Sequence, residues 1–140
     1  MMWKDKYLIG VESIDKQHKE LFKNLGEFIK LVQKKEVKWE DRLSKAKETL
    51  EFLQGYVVYH FDDEEKYQES INYPDLELHK DAHRKFKQGI NDYVEIFKEG
   101  GFTEEKMQEF SAKLMTWLIM HVGKMDQKIG EFVRTKGVES

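Results

Sequence analysis

Four stretches of the chain place apolar residues alternately three and four positions apart, which is the spacing of one buried face on an α-helix. The first stretch carries the series Ile14, His18, Leu21, Leu25, Phe28 and Val32. The other three repeat the pattern within residues 43–67, 76–97 and 107–121. A strand would alternate every second residue, so the pattern leaves little room for a sheet. It predicts an all-α fold in which four helices share one core.

The predicted helices are long and the joints between them are short. An irregular arm over residues 1–12 precedes four helices, at about residues 13–34, 39–69, 74–99 and 103–133. Ser13 and Thr103 are of types that cap helix N-termini, and Pro74 is expected in the first turn of the third helix, where its missing N–H costs little. Such an arrangement is typical of an antiparallel up-down-up-down four-helix bundle. We interpret residues 1–140 as one domain.

All five histidines fall on the apolar stripes together with one glutamate: His18, His60, His79, His83, His121 and Glu64. His60 precedes Glu64 by four residues and His79 precedes His83 by four, which places each pair on one helix face. A lone buried histidine is ordinarily a neutral ring that bonds a backbone carbonyl. Several imidazoles around a buried carboxylate are harder to satisfy internally, and a cation satisfies them together. The pattern therefore predicts a metal site in the core.

The acidic residues that flank Glu64 have a different interpretation. Asp62, Asp63 and Glu65 lie close to the predicted ligands in sequence but off the stripe. We expect their side chains to be solvated on the outer faces of the second helix.

Asp126 follows His121 by five residues, and this spacing allows two structures. On a straight α-helix it turns Asp126 about 140° away from His121 and exposes it. One extra residue in the turn, a π-bulge near Gly123, would instead bring both side chains onto one face. The stripe changes phase at this point, since Ile129 and Val133 continue it from Asp126. Periodicity alone leaves the two alternatives open.

The number of candidate ligands exceeds what one ion can bind. Nitrogen and oxygen donors without sulfur suit iron, manganese or zinc. If Glu64, Asp126 and a solvent-derived oxygen bridged two ions, each ion would already have three oxygen ligands. The five imidazoles would then divide three and two, which closes one six-coordinate ion and leaves the other with a single open position. Such a site is suited to one small molecule.

Charge and composition exclude several classes of protein. The formal net charge of −3 argues against a nucleic-acid-binding protein. No apolar run is long enough to span a membrane, and the first residues lack the apolar segment of a signal peptide. The absence of cysteine excludes thiolate metal sites and suits a reducing compartment. We expect a cytoplasmic protein that binds neither nucleic acid nor membranes, and the sequence identifies no protein partner.

Motifs on all four predicted helices resemble those of the hemerythrin family, in particular its single-domain prokaryotic members, the bacteriohemerythrins. They are Ile14-Asp15-Lys16-Gln17-His18, His60-Phe61-Asp62-Asp63-Glu64-Glu65, His79-Lys80-Asp81-Ala82-His83 and Trp117-Leu118-Ile119-Met120-His121 with Asp126. They occur in the family's order, and every ligand type of the family is present. The resemblance implies a non-haem di-iron centre with a bridging oxo or hydroxo group.

The family's scheme implies a role for each matched residue. One iron would be closed by three histidines: His79, His83 and His121. His18 and His60 would hold the iron with the open position, while Glu64 and Asp126 bridge the two ions. Dioxygen would bind end-on at the open iron as hydroperoxide, with its proton from the bridging hydroxide. Leu118 and Trp117 match positions that line the family's oxygen pocket.

The resemblance implies reversible dioxygen binding for carriage, storage or supply, and not an enzyme. The alternatives are a di-iron oxidase, a peroxidase, a nitric-oxide-handling enzyme or an oxygen or redox sensor that uses the same centre. Nitric oxide and other small anions are further candidate ligands. Ferritin-like di-iron oxygenases use mostly carboxylates with two Glu-x-x-His motifs, which this chain lacks. A histidine-rich set with fewer anions favours reversible binding over oxygen activation.

Overall fold

The computed structural model of the chain describes residues 3–136. Its elements are a 3-10 turn at Asp5–Tyr7, α1 (Glu12–Gln33), α2 (Trp39–Ser70), α3 (Leu76–Gly100), α4 (Glu104–Met120), a π turn at His121–Met125 and α5 (Gln127–Lys136). These described residues contain no strand, and the predicted all-α four-helix bundle is confirmed. Residues 1–2 of the predicted arm and residues 137–140 of the predicted domain lie outside the described residues.

The helices pack in the order that short connections dictate. α1 contacts α2 on one side and α4 on the other, and α2 contacts α3. α4, the π turn and α5 follow one another without a loop and together form the fourth rod of the bundle. Across residues 3–136, none of the helices combines the length and the apolar character that crossing a bilayer requires.

The apolar core is divided into two clusters with the histidines between them. The larger cluster contains most of the buried aromatic rings, among them Phe22, Phe28, Phe61, Phe97 and Phe110. The smaller cluster joins the N-terminal arm to the end of the fourth rod and consists of Ile9, Val11, Ile14, Tyr73, Ile129 and Val133. Because each stripe runs from one cluster to the other, its polar positions fall at the junction, as His18 does between Ile14 and Leu21. This division fixes the height of the polar site in the bundle.

The N-terminal arm is held by a carboxylate inside the first helix. α1 begins with Val11 as its N-cap residue and without a side-chain cap, so the prediction that Ser13 caps this helix is wrong. The carboxylate of Asp15 instead accepts hydrogen bonds from the N–H of Ile9 at 2.8 Å and of Gly10 at 3.1 Å. These two bonds draw the arm over the first turn of α1 and satisfy two backbone donors of the arm that precede the helix.

The connection between the second and third helices is a tight turn. Asn72 has a positive φ of 54°, and the N–H of Tyr73 donates to the carbonyl of Gln68 at 2.9 Å, which reverses the chain and buries the Tyr73 ring. Pro74 lies in this turn, and α3 begins two residues later at Leu76. The prediction that Pro74 occupies the first turn of the helix is therefore wrong. Proline is common in turns because its ring fixes φ, and before the helix its missing N–H leaves the helical hydrogen bonds intact.

The far end of the bundle is joined by one buried arginine. Thr103 caps α4 as predicted, because its Oγ1 accepts a backbone N–H from the first turn. The Arg42 guanidinium donates to the carbonyls of Leu31 at 3.0 Å and Val32 at 2.7 Å and pairs with Glu104. Arg42 thus satisfies the C-terminal carbonyls of α1 and links them to the N-terminus of α4.

Gly130 allows the fourth rod to touch the N-terminal arm, and we expect Gly130→Ala to destabilise the protein. A Cβ at this position would overlap the carbonyl oxygen of Ile9, whose backbone cannot move without opening the smaller cluster. The expected loss in free energy of unfolding is roughly 1–3 kcal/mol, measured by denaturant titration. Gly55→Ala is the control, since a Cβ there meets nothing within 4 Å; it should stabilise α2 by about 0.5–1 kcal/mol. Equal stability of the two variants would contradict the close contact.

Candidate metal centre

Seven polar side chains from the four rods meet at the junction of the two apolar clusters. Each is at most 5 % exposed. They are the predicted ligands His18 from α1, His60 and Glu64 from α2, His79 and His83 from α3, and His121 and Asp126 from the fourth rod. The structure thus brings together every residue that the sequence marked as a candidate ligand.

The fourth rod contains a π turn, which is one of the two structures that periodicity allowed for the spacing of His121 and Asp126. The N–H of Asp126 donates to the carbonyl of His121 at 2.8 Å, five residues back, in place of the four-residue bond of an α-helix. The alternative of a straight helix with an exposed Asp126 is wrong. As a result, His121 Nε2 and Asp126 Oδ1 lie 3.2 Å apart. Gly123 leaves room at the turn for the Tyr7 ring, which a Cβ would approach to 3.2 Å.

The first half of the cluster contains two histidines and one oxygen from each carboxylate. His18 Nε2 lies 3.3 Å from Glu64 Oε2 and 3.1 Å from Asp126 Oδ2. His60 Nε2 lies 3.3 Å from the same Glu64 oxygen. Donor atoms of these four residues all lie within 4.8 Å of one another, as the ligands of one ion must.

The second half contains three histidines and the other oxygen of each carboxylate. His79 Nε2 lies 2.9 Å from Asp126 Oδ1 and 3.9 Å from Glu64 Oε1. His83 Nε2 lies 3.4 Å from Glu64 Oε1 and 3.2 Å from His121 Nε2. Glu64 therefore presents Oε2 to two imidazoles and Oε1 to three, while Asp126 presents Oδ2 to one imidazole and Oδ1 to two.

The distances between the donor atoms are those expected of ligands around two cations rather than of groups that bond one another. Metal–ligand bonds of about 2.1 Å at right angles would place adjacent donors about 3 Å apart, close to the separations found here. His60 Nε2, Glu64 Oε1 and Asp126 Oδ2 are buried without a hydrogen-bond partner, a costly state unless a cation satisfies them. Imidazole and carboxylate donors without sulfur suit iron, manganese or zinc.

Two of the histidines balance the carboxylates when no cation is bound. Burial lowers the pKa of His18, but the adjacent carboxylates of Asp126 and Glu64 favour the charged imidazolium, outweigh burial and raise this pKa to about 9. Burial likewise opposes the charge of His121, yet Asp126 and Glu64 raise its pKa to about 10. His60 differs, because burial prevails and its pKa is lowered.

The carboxylates show the matching effect. Burial raises the pKa of Glu64, but hydrogen bonds from His121, His18 and neighbouring imidazoles hold it well below its usual range. Burial and the charge of Glu64 raise the pKa of Asp126, while His121 and His18 lower it more strongly, so it too lies below its usual value. The two carboxylates are thus ionised at neutral pH, and cations that bind there replace protons on the histidines.

The outer nitrogens of two histidines are oriented by side chains beside the stripes, among them two acids that the sequence analysis placed in solvent. The Nδ1–H of His60 donates to Gln17 Oε1 at 2.8 Å, and Gln17 Nε2 donates to Asp63 at 2.6 Å. The Nδ1–H of His83 donates to Glu65 at 2.7 Å. These bonds direct both Nε2 lone pairs into the cluster.

The prediction that Asp63 and Glu65 are solvated is therefore wrong, whereas Asp62 is exposed as predicted. A step of one residue along α2 rotates a side chain about 100°, so the residues on either side of Glu64 face α1 and α3. The adjacency of Gln17 to His18 and of Glu65 to Glu64 was the available signal.

Aromatic rings cover the site on the side of the larger apolar cluster. Phe61 stacks on His83 with centroids 3.8 Å apart, and Trp117 stacks on His121 at 4.4 Å. Beyond them lies a cavity of about 30 Å³, and both predicted pocket residues, Leu118 and Trp117, line it. A water-sized sphere needs about 10–15 Å³, so the cavity has room for a small molecule. Other lining residues stand one turn from ligands, such as Leu21 and Val57.

Comparison with known proteins agrees with this geometry. The family model described as the hemerythrin HHE cation binding domain matches residues 9–133. A bacteriohemerythrin of Clostridium acetobutylicum is 29% identical over 128 residues, 91% of this chain and 96% of its own. A myohemerythrin of Theromyzon tessulatum is 30% identical over 126 residues, 90% and 88% of the two chains. A bacteriohemerythrin of Pseudomonas aeruginosa is 28% identical over 134 residues, 96% and 82%. The chain therefore belongs to the hemerythrin family, whose members are non-haem iron proteins that bind dioxygen.

Proposed function

We propose that this chain binds two iron ions linked by an oxo or hydroxo group and that it binds dioxygen reversibly, end-on at one of them. The proposed ligands of the closed iron are His79, His83 and His121. Those of the iron with the open position are His18 and His60. Glu64 and Asp126 are the proposed bridges. The observation that supports this assignment is the unequal grouping of imidazoles around the two oxygens of each carboxylate.

The iron pair, when bound, supplies the electrons that dioxygen takes up and returns. The chain supplies the surroundings that keep this exchange reversible. Leu118, Trp117 and Phe61 line the cavity beside the site, and Gln54 is the one polar side chain among its lining residues within the described part of the chain. An apolar wall excludes water and contains no acid that could protonate a reduced ligand. This wall favours binding over turnover.

Five neutral imidazoles and two carboxylates also limit the charge around the metals. Two carboxylates balance only two of the four positive charges of a ferrous pair, so the higher oxidation state is less stabilised than in a carboxylate-rich site. This charge balance is our reason for placing an oxidase, peroxidase or nitric-oxide-handling enzyme, or a sensor, second. We include a cytoplasmic location in the proposal, with the cysteine-free composition as its support.

A spectroscopic oxygenation cycle tests this function. The protein is loaded anaerobically with ferrous iron, exposed to dioxygen and then returned to argon. We expect a ligand-to-iron charge-transfer band that appears with dioxygen and disappears without it over repeated cycles, with two irons per chain. Irreversible oxidation with released hydrogen peroxide, or continuous consumption of an added reductant, would support the enzyme alternatives instead. Bound zinc with no reversible band would contradict both.

A further inference from the structure

A surface groove between α3 and α4 lies directly outside the apolar cavity. Its volume is about 250 Å³. Four of its lining residues, Lys85, Gly89, Tyr93 and Lys113, belong to the groove alone. Five others line both the groove and the cavity: Phe86, Ile90, Phe110, Leu114 and Trp117. The groove and the cavity are therefore separated by a wall one side chain thick.

One part of the wall is less deeply buried than the rest. Phe86 and Trp117 are only half-buried and stack on each other with centroids 3.6 Å apart, whereas Phe110 is almost fully buried. Side chains that reach solvent change rotamer much faster than those locked in a core. A rotation of the stacked pair would join the groove to the cavity without unfolding a helix.

The mouth of the groove is open and electrically balanced. A Cβ at Gly89 would meet no atom within 4 Å, so the helix backbone forms the floor there. Lys85 pairs with Asp81 at 3.1 Å, and Lys113 pairs with Glu109 at 3.7 Å, each on its own helix. With both ammonium groups paired, the mouth offers no strong attraction to a free anion. It suits an uncharged molecule.

We propose that the groove between α3 and α4 is the route by which small uncharged gases reach the apolar cavity, with the Phe86–Trp117 pair as its gate. The order of contacts is Gly89 at the mouth, the stacked rings, and then Leu118 beside the site. That dioxygen is the gas concerned rests on the proposed function, but the route itself does not.

A test independent of iron uses dissolved dioxygen as a paramagnetic probe. The zinc-loaded protein is labelled at its methyl groups, and relaxation is compared under dioxygen and argon pressure. We expect strong enhancement at Leu114, Leu118 and Ile90, and little at Ile129 in the smaller apolar cluster. A barrier leaves this equilibrium enhancement unchanged, so the route is tested by a rate. In a zinc-loaded protein whose Trp3 and Trp39 are replaced by Phe, Gly89→Leu should lower several-fold the rate constant with which dioxygen quenches the phosphorescence of Trp117. Gly55→Leu, an equally open helix position outside the groove, should leave it unchanged.

A second variant acts in the opposite direction. Phe86→Ala removes half of the gate and should raise this quenching rate constant several-fold. In iron-loaded protein, Gly89→Leu should slow dioxygen binding and release by the same factor and leave the Kd unchanged, since a barrier alters both rates alike. A quenching rate constant that neither variant changes, or no enhancement at Leu118 in the parent protein, would overturn the route. Loss of reversible oxygenation with these relaxation and quenching results intact would overturn only the proposed function.

Discussion

Glu64→Gln is expected to lower the iron content of the anaerobically loaded protein from two ions per chain to one or fewer. Glu64 is the residue on which both halves of the cluster depend, because Oε2 lies 3.3 Å from His18 Nε2 and Oε1 lies 3.4 Å from His83 Nε2. An amide has the same shape but only one oxygen, no charge, and a donor NH₂ that cannot coordinate a cation. The substitution therefore removes a ligand and a charge from one half at least.

Two neighbours on α2 provide matched controls for this variant. Asp62→Asn changes the same chemical group at an exposed position and should retain two irons per chain. Glu65→Ala removes the acceptor of the His83 Nδ1–H and should weaken iron binding about 10–100-fold without changing its stoichiometry. Iron per chain is measured after desalting, with circular dichroism as the check on folding. Two tightly bound irons in Glu64→Gln would show that this residue does not bridge.

The helices and the meeting of six of the seven polar residues, all but Asp126, could be predicted because both follow from helix geometry. An apolar series with steps of three and four defines one face, and any residue on that series points into the bundle. His18, His60 and Glu64 are 0–1 % exposed for this reason. The apolar series also sets where these residues lie along the bundle axis, since the polar positions interrupt all the stripes at the same level.

The errors concern contacts that lie beside the stripe. Periodicity averages over one face, so it cannot show which neighbouring helix a residue one step away will meet; Asp63 and Glu65 were assigned to solvent on that basis. The burial of Arg42 was not predicted, because a charged residue is expected at the surface unless its partners are known. Its partners are the carbonyls at the end of another helix. Ser13 does not cap α1 because the helix begins at Glu12, so Ser13 already lies in its first turn.

The sequence could not decide between a π turn and a straight helix, because the free-energy cost of a π turn depends on contacts that only the folded chain makes. The turn brings Gln127 to the carbonyls of Val122 at 3.2 Å and Tyr7 at 3.0 Å, so that a side chain satisfies part of the disturbed ladder. Tyr7 belongs to the N-terminal arm, which no helical stripe describes. The local pattern could therefore show that the apolar stripe changes phase near Gly123, but not that a π turn accommodates the change.

Deletion of Lys124 is expected to leave two irons bound per chain, whereas deletion of Lys80 is expected to remove at least one. The π turn contains one residue more than an α turn. Without Lys124, which is exposed, His121 and Asp126 would stand four apart on an ordinary helix and still share a face. Lys80 lies between His79 and His83 in a straight α-helix, so its loss rotates His79 about 100° relative to the rest of α3.

Comparing the two deletions distinguishes a requirement that both ligands face the site from a requirement for the π turn itself. Each removes one lysine from a ligand-bearing segment, so general effects of shortening a helix should be similar. Iron per chain and helical content are measured for both variants. If deletion of Lys124 also removes iron, the π geometry itself is required, because alignment on one face would then have proved insufficient. If both irons remain, the site needs only that Asp126 face His121, and an ordinary helix turn four residues apart serves as well.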